Sequence, residues 1–156
     1  MSSLPFPRAD DDRSPGPPLP RRPAARRGRD HPAPGWSGTG PPLRTDTLGV
    51  TAVLRPGPRV QLHLVGEVDR ASSPALSRYL QHWVAVSDCV TLDLSCVDFI
   101  DASGLTALLI GLHHAGRTRT HLRLAHRPSH PAERTLAVSG VRTLFDDAGH
   151  RCPHRH

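Results

Sequence analysis

In the stretch VDFIDASGLTALL, Val97 to Leu109, an apolar run breaks at a cluster of aspartates and small residues, then resumes with a different period. Ser103 carries the hydroxyl of this break, with Asp98 and Asp101 before it and Gly104 after it. A serine in such a place can cap a helix by hydrogen-bonding the exposed N–H groups of the first turn. It can also act as a nucleophile. A serine hydrolase, however, calls for a nucleophile elbow, commonly Gly-x-Ser-x-Gly. Here Asp101 stands two before Ser103, and no spacing singles out a base from the eleven histidines. Four further residues shift the balance away from a cap alone. Gly104 has no side chain to block the approach of another protein, Phe99 and Ile100 can anchor the loop to a core, and Asp69 in GEVD ends an earlier strand that could converge on the same edge.

Other chemistry is excluded or weak. The chain has no lysine, which rules out a phosphate loop ending in Gly-Lys-Ser/Thr, a Schiff-base lysine and a Ser-Lys dyad. Cys89, Cys96 and Cys152 are odd in number and lack metal-site spacing, the pattern of reduced intracellular thiols. The terminal HRCPHRH offers His150, Cys152, His154 and His156 as zinc ligands, but their spacing is too tight for a standard structural site. A frayed tail explains them more simply, and neither a metal nor another cofactor is expected.

The elements that must position Ser103 are legible from periodicity. DTLGVTAVLRPGPRVQLHLVGEVD reads as two strands around a Pro-Gly turn, with Val60, Leu62 and Leu64 on one face and His63 on the other as a surface imidazole. SSPALSRYLQHWVAV starts a helix with Ser73 as cap and Pro74 in its first turn, and Leu76, Tyr79, Leu80, Trp83 and Val84 at helical spacing. VTLDL is a buried strand. GLTALLIGLHHAG is a helix with Leu105, Leu108, Leu109 and Leu112 on one face and Gly116 as its end. HLRLA is a strand, HPAERTLAVSG a short helix, and VRTLFDDAG supplies Val141, Leu144 and Phe145 to close the core. This alternation predicts an α/β domain with parallel pairings in part of one sheet. Ser103 then falls at the carboxyl end of a central parallel strand, where α/β sheets collect ligands and chemistry.

The first 45 residues differ in kind. They hold 11 of the 17 prolines and eight arginines against four aspartates, so most of the net charge of +6 is carried there. Too few periodic apolar positions offset the entropy of ordering them, and residues 1–45 are expected to be a disordered Pro/Arg-rich tail. The arginines could touch phosphates, but without a folded basic surface or an aromatic stacking platform no direct nucleic-acid partner is expected. Residues 46–146 form the domain, and residues 147–156 a flexible His/Arg-rich tail. The longest apolar run, Leu105 to Leu112, is too short to insert in a membrane. The start MSSLPFPRADDD lacks the basic and apolar regions of a secretory signal, so a cytoplasmic location is expected.

Taken together, GEVDRASSPAL, VTLDLSCVDFIDASGLTALL and LAVSGVRTLFD resemble the STAS domain, specifically the bacterial anti-sigma factor antagonists, over about residues 46 to 146. The resemblance implies an α/β fold, a STAS-like mixed sheet of four to five strands with helices packed mainly on one side. It implies a non-enzymatic partner switch in which the antagonist captures an anti-sigma factor serine kinase and so frees a sigma factor. Phosphorylation, matching Ser103 here, turns the antagonist off, and a serine phosphatase resets it. Asp69 and Asp101 match acidic positions lining that site, and Asp98, Phe99, Ala102, Ser103, Gly104 and Leu105 complete the expected partner-binding surface. Many relatives have Ser or Thr where this chain has Ala102. The same fold also serves as a scaffold or accessory subunit of signalling or transport complexes without a phospho-switch, and fold alone does not separate these uses.

Overall fold

The computed structural model describes residues 37–125 and 127–149. The hairpin is formed by strands β3 (Leu48–Arg55) and β4 (Arg59–Val68), antiparallel from Leu48 opposite Gly66 to Arg55 opposite Arg59. Strands β5 (Cys89–Ile100) and β6 (His121–Leu124) follow, each parallel to its predecessor. Helix α1 (Ser73–Val86) connects β4 to β5, and α2 (Ala102–Thr118) connects β5 to β6. Because β4, β5 and β6 are laid down in one direction across the sheet, crossovers of a single hand place both helices on the same face. Helices α3 (His130–Val138) and α4 (Val141–Gly149) close that face beside β5 and β6.

One core results. Alternate residues Val60, Leu62, Leu64 of β4 and Val90, Leu92, Leu94 of β5 meet Leu76, Leu80 and Trp83 of α1, Leu108 of α2, and Leu136 and Phe145 of α3 and α4, all buried. The opposite face holds polar cross-strand pairs instead. His63 Nδ1 lies 2.9 Å from Asp93 Oδ2, and Arg123 Nε donates to Thr91 Oγ1 at 3.0 Å. His63 therefore lies on the expected face but is paired. Burial pushes the Asp93 carboxyl up, while bonds from Ser95 and the His63 ring together outweigh it and hold the group below its ordinary value.

Three helix details differ from the sequence reading. The buried stripe of α2 is Gly104, Ala107, Leu108, Gly111 and Ala115, with Leu105, Leu109 and Leu112 at its margins, because small residues let α2 lie close to α1. The helix passes Gly116 and ends at Arg119, which takes the left-handed conformation at φ 59° and donates its N–H to the Ala115 carbonyl. In α4, Val141 and Phe145 are buried but Leu144 is 47% exposed, since it falls on the outer side of a short amphipathic helix.

The sheet has six strands by count and is five positions wide. Two short strands, β1 (Gly38–Thr39) and β2 (Leu43–Arg44), share the outer edge of β3, pairing with Val53–Leu54 and Gly49–Val50. Both come from residues assigned above to the disordered leader. Their attachment is made by tertiary groups that a local reading does not see. The Tyr79 hydroxyl donates to the Pro41 carbonyl at 2.7 Å, Gly40 N–H donates to the Ala52 carbonyl at 2.9 Å, and Gly40 sits against the Trp83 indole. The remaining leader residues 1–36 and the terminal HRCPHRH lie outside the described residues.

A chain beginning at Asp46 is expected to be less stable than one beginning at Ser37 by about 2 kcal/mol, from the lost tyrosine bond and the uncovered indole. Urea unfolding of the two chains would measure the difference.

Candidate functional site

Two strand ends and two helix starts meet at one corner of the sheet. Near that corner β5 carries an extra residue twice. The register passes from His63–Asp93 to Val65–Cys96, and from Gly66–Val97 to Glu67–Phe99, so Asp98 is the second unpaired extra residue. Such a bulge bends a strand and re-aims its side chains. Val97 and Ile100 remain buried while Asp98 and Phe99 both face outward. Phe99 is thus 48% exposed rather than an anchor, and Ile100 alone of the pair reaches the core. Gly66 accompanies the bulge at φ 108°, and a Cβ there would stand 2.2 Å from the Thr47 carbonyl oxygen.

The β4–α1 turn is held by Asp69. Its carboxylate accepts from Ser72 N at 2.9 Å and from Thr47 Oγ1 at 3.1 Å, and Ser72 Oγ in return accepts from Asp69 N at 3.0 Å. This reciprocal pair is the logic of a capping box set one turn ahead of α1. Ser73 is therefore not the cap, and its hydroxyl donates to the Asp69 carbonyl. The bond from the Ser72 backbone, with the Ser72 and Thr47 hydroxyls beside it, outweighs burial and holds the Asp69 carboxyl below its ordinary value of 3.8.

Asp101 holds the second helix and ties it to the first turn. It is the N-cap of α2, and its Oδ1 accepts from Gly104 N at 2.8 Å. Its Oδ2 accepts from Arg70 N at 3.1 Å, and its own N–H donates to the Val68 carbonyl at 3.1 Å. One carboxylate therefore links the start of α2 to the β4–α1 turn. Gly104 lets this happen, because a Cβ on it would lie 2.4 Å from the Val68 carbonyl oxygen and 2.8 Å from Val68 Cγ1. Its missing side chain accommodates the chain's own strand, not a second protein.

Ser103 is left over by this arrangement. It is the second residue of α2, half-buried, and the cap role considered for it belongs to Asp101. Among the described residues no group hydrogen-bonds its hydroxyl. The side chain instead lines a groove of about 380 Å³ between the starts of α1 and α2, with Arg70 and Ser77 on one wall and Thr106 and Ile110 on the other. Of the residues singled out in the sequence, Asp69, Asp101, Ser103 and Gly104 come together here. Asp98, Phe99 and Ala102 lie exposed around them, and Leu105 turns partly into the core. Arg70, Ser77, Thr106 and Ile110 were missed, although Thr106 and Ile110 follow Ser103 at the spacing of one helix face and Arg70 adjoins GEVD. The arrangement presents an unengaged hydroxyl beside a cationic side chain, at a helix start whose dipole tolerates negative charge. Among the described residues no group of side chains is arranged to hold a metal ion.

A family model described as Mlab, STAS domain, matches residues 51–146. Among solved structures, the chain is similar to an anti-sigma factor antagonist from Mycobacterium paratuberculosis, with 22% identity over 67% of this chain and 93% of that one, at a TM-score of 0.56. It is also similar to the anti-sigma factor antagonist SpoIIAA in its unphosphorylated form, with 14% identity over 61% of this chain and 84% of that one, at a TM-score of 0.54. The Bacillus cell fate determinant SpoIIAA in the phosphorylated form matches at 14% identity over 62% and 86%, with a TM-score of 0.50. Among proteins of curated function, none matches the chain.

Asp101→Ala is expected to lower stability by about 1–2 kcal/mol through loss of the cap, whereas Ser103→Ala should stay within about 0.5 kcal/mol of the parent because its hydroxyl holds nothing. Denaturant midpoints of the two variants measure both effects.

Proposed function

The chain belongs to the STAS domain family, and from that membership we propose that it is a non-enzymatic anti-sigma factor antagonist switched at Ser103. In this reading the unmodified protein binds an anti-sigma factor that is also a serine kinase, and a sigma factor is released. The kinase transfers the γ-phosphoryl group of a nucleoside triphosphate to Ser103 Oγ. The new O–P bond replaces the β–γ phosphoanhydride bond, the hydroxyl proton leaves, and a nucleoside diphosphate departs. A serine phosphatase reverses the state by hydrolysis, consuming one water. These exchanges would take place in the cytoplasm, and among the described residues no helix is long and apolar enough to cross a membrane.

The observation that carries the reading is the free Ser103 hydroxyl at a corner whose backbone is tied by Asp101. A kinase can take it without breaking a cap, since Asp101 supplies the cap. The added group brings about −1.5 to −2 charge at pH 7. At the start of α2 the backbone tolerates that charge, so the domain stays folded. A partner closely packed on Asp98, Phe99, Ala102 and Leu105, with Asp69 and Asp101 nearby, meets like-charge repulsion and desolvation instead. A coupling of about 3 kcal/mol weakens binding more than a hundredfold, enough to exchange one partner for another.

The second reading keeps the fold and drops the switch, making the chain a scaffold or accessory subunit of a signalling or transport complex. What favours it is the description of the matching family model, which names Mlab and not a sigma-factor regulator. Under it the Ser103 hydroxyl has neither a partner nor a task.

Affinity capture from the native cell with the parent chain, Ser103→Ala and Ser103→Asp separates the two. A nucleotide-binding serine kinase retained by the parent and by Ser103→Ala, and lost more than tenfold with Ser103→Asp, is the expected outcome. A transport or scaffold complex held equally by all three would overturn the proposal.

A further inference from the structure

We propose that Arg70 is a counter-ion built into the chain for phosphorylated Ser103, so that the modified serine is clamped within the α1–α2 groove. The inference rests on the reading of Ser103 as the phosphoacceptor and adds a cis-acting residue to it. Arg70 and Ser103 line the same groove from opposite walls. Arg70 is exposed, and among the described residues its guanidinium has no ion-pair or hydrogen-bond partner. Its backbone, by contrast, is fixed. The Arg70 N–H donates to Asp101 Oδ2 while Asp101 Oδ1 accepts from Gly104 N, so a single carboxylate spaces the root of Arg70 from the turn that carries Ser103.

That combination of a fixed root and an unengaged head suits recruitment by a new anion. An isolated surface ion pair contributes little. A phosphate dianion offers more, because the planar guanidinium can meet two of its oxygens at once and the start of α2 faces it from the other side. Ser77 lies on the same wall as Arg70, and its Oγ already accepts from Gln81 Nε2, which leaves its own proton free for a phosphate oxygen. Asp69 and Asp101 oppose the added charge, but both carboxylates are already held in place, Asp69 by backbone and hydroxyl donors and Asp101 by two backbone N–H groups. Phosphorylation would therefore fill the groove and withdraw the Arg70 charge from the surface in one step.

The test uses the full chain with phosphoserine installed at position 103 during translation, so that neither kinase nor partner is required. Phosphorus NMR follows the second ionisation of the phosphoserine, which lies near pH 6 when unperturbed. It is expected to occur about one pH unit lower in the parent than in Arg70→Gln, because a nearby cation favours the dianion. The helix start and the aspartates act equally on both chains and cancel in the comparison. Circular dichroism of the unmodified Arg70→Gln chain checks that this exposed substitution leaves the fold intact. Coincident titration curves would overturn the clamp. If the curves separate while cellular capture finds no Ser103-sensitive kinase, the partner switch fails and the clamp stands; coincident curves with an intact switch give the reverse.

Discussion

The corner that carries Ser103 depends on one carboxylate. Asp101 receives the Gly104 N–H with one oxygen and the Arg70 N–H with the other, while its own N–H is donated to Val68. The end of β4 with the turn into α1, and the start of α2 some thirty residues later, are thereby held at fixed spacing. A helix start leaves several backbone donors without partners inside the helix. The chain meets that requirement with an aspartate outside the helix, and so the adjacent serine is relieved of it.

Packing enforces the same geometry. Gly104 can approach Val68 only because it lacks a side chain, and the extra residue Asp98 turns Phe99 outward while keeping Ile100 in the core. The outcome is a hydrogen-bonded frame with unengaged groups at its centre. The groups that fix the frame are bonded, while the Ser103 hydroxyl and the Arg70 guanidinium, which have no partner among the described residues, face one groove. Under the proposed switch, a charge added there would act on whatever docks against the corner and not on the fold beneath it. A reversible modification needs such a separation between the groups that hold the fold and the group that is modified.

Much of this was legible in the sequence because it is periodic. The alternation in VQLHLV and VTLDL, and the helical spacing of Leu76, Leu80 and Trp83, specify strands, helices and their buried faces directly. The Asp-Ala-Ser-Gly string reads as a turn between strand and helix, but only Asp101 lies there, and Ala102, Ser103 and Gly104 already belong to α2. What escaped was non-local or a few residues off. Ser73 and Ser103 both read as caps, whereas aspartates two to four residues earlier do the capping, since a carboxylate accepts two donors and a hydroxyl competes poorly with it. Gly104 looked like an opening for a partner because nothing local reveals Val68 beneath it. Residues 38–44 looked like leader because their attachment is to Tyr79, Ala52 and Trp83, distant in the chain. Arg70 carried no periodic signal, and only the fold sets it across from Ser103.

In the proposed switch, charge on Ser103 decides whether the corner is occupied. Its most direct test is to separate the native protein into free and partner-bound pools by gel filtration of a gentle lysate, then measure Ser103 phosphate occupancy in each by mass spectrometry. Phosphate on Ser103 is expected in the free pool and nearly absent from the bound pool. Equal occupancy in both pools, or phosphate confined to another hydroxyl, would contradict it.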